Sequence, residues 1–378
     1  MRTDKELEIY FHIPFCIRKC LYCDFLSGPA DEDTRRVYLE ALMRETVERA
    51  SEAEGYTVRS VFLGGGTPSV ADAGQIQELL ELLRKHYRLA EDAEITMEVN
   101  PGTVDMEKLT IYHRAGINRL SIGLQSTEDS ELAAIGRIHT YEEFLEAYRA
   151  ARTVGFDNIN VDLMGALPGQ TAESYGRTLD RVLALNPEHI SAYSLIVEEN
   201  TPLWDMVSEG TVKPWEEDRE RELYWLTHER LCEAGYVHYE ISNYAKPGRE
   251  CRHNMGYWTR VDYLGLGIGA ASLMGQKRFQ NDTDREAYIR DPMNRRCHME
   301  YLSTREQMEE TMFLGLRLLR GVSEKDFEEC FGEKLSHVYG KVIERNMDDG
   351  LLQKEQGYVF LTQKGIDISN YVMARFLL

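Results

Sequence analysis

The 378-residue chain reads as an α/β protein: a curved parallel (β/α) barrel, incomplete in its closure, followed by a smaller α+β domain. Three observations predict this. Short β-branched and apolar runs alternate with longer amphipathic stretches through the first 245 residues. Several of those runs end in polar or glycine-rich tails. Beyond residue 304 the alternation gives way to helices and a hairpin.

In chain order, strands are predicted at 9–13, 58–63, 95–99, 119–123, 158–163, 189–195 and 237–242. Helices are predicted at 35–53, 74–86, 106–115, 141–153 and 172–184. Six or seven such repeats favour a barrel over a five-stranded open sheet. The tails are GGGTP at 64–68, EVNPG at 98–102, GLQS at 123–126 and DLMG at 162–165. Parallel strands bring all four to one rim, the face on which barrels build their sites. After residue 245 the period is lost: 249–258 is polar and aromatic, and 263–273 is rich in glycine. Helices follow at 305–319, 324–330 and 335–349, then a hairpin at 351–361 and a last helix at 366–376, an arrangement like a winged helix. The expected division is therefore 1–245 for the barrel, 246–300 for a connecting region and 301–378 for the C-terminal domain.

Composition limits the function. There are 44 Lys+Arg against 64 Asp+Glu, a formal charge of −20, which argues against coating nucleic acid or an anionic membrane. Residues 304–378 carry ten basic and thirteen acidic side chains, so the winged region reads as a packing or lid element rather than a DNA grip. No run of apolar residues is long enough to span a bilayer, and the charged start Met1–Glu6 is unlike a secretory signal. A cytoplasmic chain with no nucleic-acid partner is expected.

Seven cysteines are present, and Cys16, Cys20 and Cys23 fall within eight residues. Cys232, Cys251, Cys297 and Cys330 stand alone. In a reducing compartment such a cluster reads as metal-binding or catalytic. A structural zinc site closes with four ligands, usually in CxxC pairs, and no second pair exists. Three thiolates on one short loop suit three corners of a cubane iron–sulfur cluster and leave one iron open. His12 then reads as a packed barrel residue rather than a fourth ligand.

CxxxCxxC after the first strand is the signature of the radical S-adenosylmethionine superfamily. The segment YFHIPFCIRKCLYCDF at 10–25 closely resembles the oxygen-independent coproporphyrinogen III oxidases and their relatives. The resemblance implies a partial (β/α)6 barrel, a [4Fe–4S] cluster on Cys16, Cys20 and Cys23, and S-adenosylmethionine bound at the open iron. It implies that an electron from the cluster cleaves that cofactor to a 5′-deoxyadenosyl radical, so an electron donor is implied too. Gly65, Gly66 and Thr67 resemble the glycine motif that receives the methionyl part, glycine letting the backbone approach a ligand closely. Glu98, Gln125, Arg137 and Asp162 stand where the subfamily places residues that contact the cofactor, and Tyr10 and Tyr22 match its aromatic positions beside the cluster.

Two departures matter. The oxidase motif runs CxxxCxxCxC, and here the last position is Phe25. The oxidase also carries several dozen more residues before its motif. Both departures resemble the sister family of HemW-type heme chaperones. HNMGYW at 253–258 resembles that family's HNxxYW heme-binding motif, which implies heme contact by His253, Tyr257 and Trp258. The chemistry is apt, since imidazole ligates heme iron and aromatic faces suit a porphyrin. Cys251 is an alternative thiolate ligand, and Arg249, Arg252 and Arg260 are candidate partners for the two propionates. Trp204, Trp215 and Trp225 read as packing residues.

Two functions are implied. The first is a heme carrier, cytoplasmic or peripheral at the inner face of the membrane, that holds the cluster and S-adenosylmethionine and passes heme to acceptor proteins, among them membrane-associated respiratory enzymes. The second is a radical oxidoreductase acting on a tetrapyrrole, resembling the coproporphyrinogen enzyme. Phe25 and the HNxxYW segment favour the carrier. A homodimer is left open.

Overall fold

The computed structural model describes residues 5–293 and 296–377; residues 1–4, read above as part of the charged start, lie outside them. Strands β1 (Lys5–Ile13), β2 (Tyr56–Gly65), β3 (Leu89–Val99), β4 (Arg119–Gln125), β5 (Ile159–Gly165) and β6 (His189–Ser194) lie side by side and parallel in that order. The longer helices between them are Glu32–Glu48, Ala73–His86, Met106–Arg114, Tyr141–Val154 and Ala172–Leu185. Their starts are set by caps that accept an orphan N–H: Asp31, Asp72 and Asp105, and the capping boxes at Thr140 and Thr171. This part of the sheet follows the predicted (β/α)6 pattern.

The strands alternate sharply. Leu7, Ile9, Phe11 and Ile13 pack outward with Leu63, Leu80, Ile122 and Val161 in one apolar core under the helices. Glu8, Tyr10 and His12 point the other way, into the barrel, and the register sets them beside Ser60, Phe62 and Gly64. The same rows continue through Glu94 and Thr96 of β3, Arg119 and Ser121 of β4, Asn160 of β5 and His189 of β6. The apolar face faces the helices and the polar face lines the lumen.

Two parts differ from the expectation. The seventh strand, expected parallel at 237–242, is instead β7 (Val237–Glu240) and β8 (Asn243–Ala245), with β8 antiparallel to both β6 and β7. The Glu240 carboxylate accepts from Ser242 N at 3.0 Å and from the Asn243 amide, which turns the chain back at that point. The stretch without a βα period supplies four more strands. β9 (Asp262–Leu266) runs parallel to β1, and β10 (Ala271–Met274), β11 (Lys277–Asn281) and β12 (Arg296–Tyr301) follow antiparallel, giving a twelve-stranded open sheet with edges at β7 and β12.

The C-terminal region has helices Thr304–Gly315, Glu324–Phe331 and Leu335–Asp348 and its own sheet of β13 (Val322–Ser323), β14 (Leu352–Glu355) and β15 (Tyr358–Leu361). Met312, Leu316, Phe327, Tyr339, Val359 and Phe376 form a separate core there. The last predicted helix is two short ones, Gln363–Asp367 and Ser369–Ala374, because Ile368 leaves helical geometry (φ −126°, ψ 38°). Among the described residues no helix is long and apolar enough to cross a membrane.

Candidate functional site

The cysteine loop leaves the C-terminal end of β1 and is fastened by backbone bonds. Cys16 N donates to Gly28 O at 3.1 Å, Gly28 N to Pro14 O at 3.0 Å, and Leu21 N to Ile135 O at 3.0 Å. The GGGTP loop clasps it from β2, with Gly66 N on Ile13 O at 3.0 Å and Thr67 N on Phe15 O at 2.6 Å. A side chain at Gly66 would put its Cβ 2.5 Å from Phe15 O, and Gly65 sits at φ +110°. The missing side chains that the sequence suggested for ligand approach thus first let two backbones meet.

Above the strand ends lies a cavity of about 380 Å³, within the range of small-ligand sites. All three cysteines line it, together with Tyr22, Gly65, Gly66, Thr67, Glu98, Gln125, Arg137 and Asp162. Eight of the nine residues expected at the cofactor are therefore brought together, from β2, β3, β4, β5 and the loops between. Tyr10 is the exception. It lies lower in β1, with its hydroxyl 3.0 Å from His12 Nδ1 and its ring stacked on Phe62. His12 Nε2 lies 2.9 Å from Leu26 O, so both its nitrogens are engaged within the fold.

Ionisable side chains line the cavity among apolar ones. Burial, and the nearby Asp162, push the Glu98 carboxyl up to about 8 even though Gly65 N donates to it at 3.2 Å. Burial also raises Asp162, against hydrogen bonds from Asn160 Nδ2 at 2.7 Å and Ser121 Oγ at 3.2 Å. Arg137 is fixed by Gly123 O at 2.7 Å and Asn100 Oδ1 at 3.1 Å, points Nη1 at Cys20 Sγ from 3.9 Å, and leaves Nε buried without a partner. A Cβ on Gly123 would lie 2.5 Å from Arg137 Nη2, so the glycine makes room for that guanidinium. Gln125 stands on a bulge of β4 at φ +72°, held by Tyr193 OH at 3.3 Å.

These residues fit the implied groups. Two half-buried carboxyls and an incompletely bonded guanidinium suit a ligand that carries both a cation and a carboxylate, as S-adenosylmethionine does. Burial raises the Cys16 and Cys23 thiols, and the neighbouring cysteines add to it at each, so cationic iron would relieve both effects. Among the described residues no three ligating side chains converge on a single ion. A cubane asks for less convergence, since each thiolate takes a different iron.

The HNxxYW segment lies at the opposite, N-terminal end of the barrel strands. It forms the helix Arg252–Thr259, and Cys251, its N-cap residue, makes no side-chain cap. The cap comes from β3 instead: Glu94 accepts from Arg252 N at 3.1 Å, His253 N at 3.3 Å and Cys251 Sγ at 3.6 Å. His253 is 1% exposed, with Nδ1 2.8 Å from Ser60 Oγ and Nε2 3.1 Å from Tyr257 OH. Burial, with Arg119 nearby, lowers its imidazole to about 3. Burial pushes the Cys251 thiol up to about 12. The Trp258 ring carries the Arg317 guanidinium 4.3 Å above it.

The arginines expected for propionates are engaged inside the chain. Arg249 pairs with Asp157 at 3.3 Å, Arg252 with Asp92 at 2.9 Å and Arg260 with Glu310 at 3.0 Å. The structure thus brings the cofactor residues together and sets the HNxxYW residues apart from them. The sequence reading missed Asn100, which ties Thr67 Oγ1 (2.7 Å) to Arg137, and Glu94, which caps the helix. Asn100 was legible in its strand tail; Glu94 carried no signal.

Residues 10–182 match the family model of the Radical SAM superfamily, and residues 302–368 match the HemN C-terminal domain. The solved structure of coproporphyrinogen III oxidase (HemN) from Escherichia coli, described as a radical SAM enzyme, superposes with a TM-score of 0.84 at 25% identity, over 99% of this chain and 90% of that one. The class is therefore a radical SAM barrel with a HemN-type C-terminal domain. Among curated proteins, the chain is 36% identical over 379 residues to heme chaperone HemW of Bacillus subtilis (strain 168), covering 97% of this chain and 98% of that one. It is 35% identical to that of Lactococcus lactis over 99% and 98% of the two chains, and 42% identical to that of Escherichia coli (strain K12) over 70% and 69%. The chain belongs to the HemW family.

Proposed function

We propose that this protein is a heme chaperone that binds heme, holds a [4Fe–4S] cluster and S-adenosylmethionine, and hands heme to acceptor proteins such as respiratory enzymes. One observation carries the choice of carrier over oxidase: Phe25 occupies the position of the oxidase's further cysteine, 65% exposed at the rim of the cavity. The end-to-end similarity to HemW relatives supports the same reading.

Cys16, Cys20 and Cys23 hold the cluster, and Cys20 and Cys23, only half-buried, leave it within reach of an electron donor. The cluster and S-adenosylmethionine together supply one-electron chemistry when bound. The residues of the chain orient and desolvate the cofactor: Arg137 and Gln125 bond its polar groups, while Glu98 and Asp162 meet its positive charge.

Heme contact is assigned to His253, Tyr257 and Trp258, with Cys251 as the alternative ligand. In the docked helix both His253 nitrogens are bonded within the fold, so heme contact through His253 requires the Arg252–Thr259 helix to lift off the barrel floor. The test is heme titration of wild type, His253→Ala and Cys251→Ala. Affinity should fall in at least one variant; unchanged affinity in both would remove this assignment.

A further inference from the structure

A line of hydrogen bonds runs through the barrel lumen from one end of the strands to the other. Cys251 N lies 3.3 Å from Tyr239 OH, and Tyr239 OH lies 2.8 Å from His189 Nε2. His189 Nδ1 lies 2.6 Å from Asn160 Oδ1, and Asn160 Nδ2 lies 2.7 Å from Asp162 Oδ1, which lines the cofactor cavity. Cys251 and His189 are fully buried, Asn160 is 2% exposed and Tyr239 8%.

The direction of the line is fixed from its Asp162 end. Asn160 donates its amide to Asp162, so its Oδ1 only accepts and His189 Nδ1 must donate to it. Neutral His189 then accepts at Nε2 from Tyr239 OH, whose oxygen accepts from Cys251 N. Burial keeps His189 neutral, as this arrangement requires. Ser191 Oγ on Asn160 Oδ1 (3.2 Å) and Ser121 Oγ on Asp162 are side branches that leave the order intact. Every donor therefore points toward the cavity, and bonds aligned in this way strengthen one another.

We infer that the Asp162–Asn160–His189–Tyr239–Cys251 line couples occupancy of the cofactor cavity to the docking of the Arg252–Thr259 helix. The inference rests on the reading of the cavity as the S-adenosylmethionine site and does not depend on heme binding. The two-state element is the helix, docked through Glu94 and the Cys251 N–H or lifted from both. A ligand that engages Asp162 restrains the far end of the line, orders each acceptor behind it and holds the helix start down. Tyr239 and His189 are positioning residues in this scheme, touching neither cofactor.

Cys251 reports the lifted state, because its thiol is shielded until the helix start opens. Cluster-reconstituted protein is treated anaerobically with iodoacetamide, with and without S-adenosylmethionine, and labelling of the Cys251 peptide is followed by mass spectrometry. Cofactor binding is measured in the same samples by equilibrium dialysis. S-adenosylmethionine should slow Cys251 labelling about fivefold, the lower end of ordinary couplings between sites. Tyr239→Phe, which lacks the linking oxygen, should bind the cofactor as wild type does and show no such slowing. Deuterium exchange of the 251–260 peptide in wild type provides the same comparison without a variant.

Bound cofactor with unchanged labelling and exchange would overturn the coupling, as would a full response in Tyr239→Phe. Failure to bind the cofactor at all would instead overturn the cavity assignment, and the coupling with it.

Discussion

Glu94→Ala is the perturbation that reaches the HNxxYW segment most directly. The Glu94 side chain is 6% exposed and caps a helix whose own N-cap residue provides no side-chain bond. Its loss strips the acceptors from Arg252 N and His253 N, at 3.1 and 3.3 Å, and from the Cys251 thiol. Each orphaned buried donor costs about 1–3 kcal/mol and a lost cap about 0.5–2 kcal/mol; because some donors regain water, a net of about 2.8 kcal/mol is expected. That is about a hundredfold in the lifting equilibrium. Iodoacetamide labelling of Cys251 in native protein should therefore accelerate by about two orders of magnitude, and heme should associate faster in parallel. Labelling at the wild-type rate would refute the view that Glu94 holds the helix. Faster labelling without faster heme association would refute the view that lifting admits heme.

Four further outcomes follow from the cavity. Gly123→Ala, whose Cβ would stand 2.5 Å from Arg137 Nη2, should weaken S-adenosylmethionine binding by about tenfold, as displaced groups at a packed site do, with circular dichroism unchanged. Because Glu98 titrates near 8, affinity for the cationic cofactor should rise from pH 7 to 9 in calorimetric titrations and flatten in Glu98→Gln. The same raised carboxyl favours the fold in its protonated form, so its contribution to stability is complete below its ordinary value of 4.5 and is lost as pH rises through about 8. Urea midpoints of wild type against Glu98→Gln read this. Replacing any of Cys16, Cys20 or Cys23 by serine should abolish the iron–sulfur absorbance of reconstituted protein while leaving heme affinity largely intact, since His253 lies at the other end of the barrel.

The barrel and its rim were legible because their signals are local. Strand period and the tails after β2 to β5 are written in consecutive residues, so Cys16 to Asp162 converge as expected. The four strands β9 to β12 were not legible. Gly265, Gly267 and Gly269 hide β9 and its exit behind a glycine-rich run, and at Gly265 a Cβ would lie 2.3 Å from Ala271 O, so the glycine is there to let β10 fold back. The HNxxYW segment was legible as a motif but not as a place. What buries His253 is Ser60 from β2 and the Glu94 cap from β3, both far away in sequence. The partners of Arg249, Arg252 and Arg260 are equally remote, so three apparently available cations proved to be paired.

The most direct measurement is an anaerobic titration of cluster-reconstituted protein, with S-adenosylmethionine present, using heme and coproporphyrinogen III in parallel. Carriage predicts stoichiometric heme binding by absorbance and no decarboxylated porphyrinogen in the second arm. Absence of heme binding, or turnover of coproporphyrinogen with release of 5′-deoxyadenosine, would contradict it.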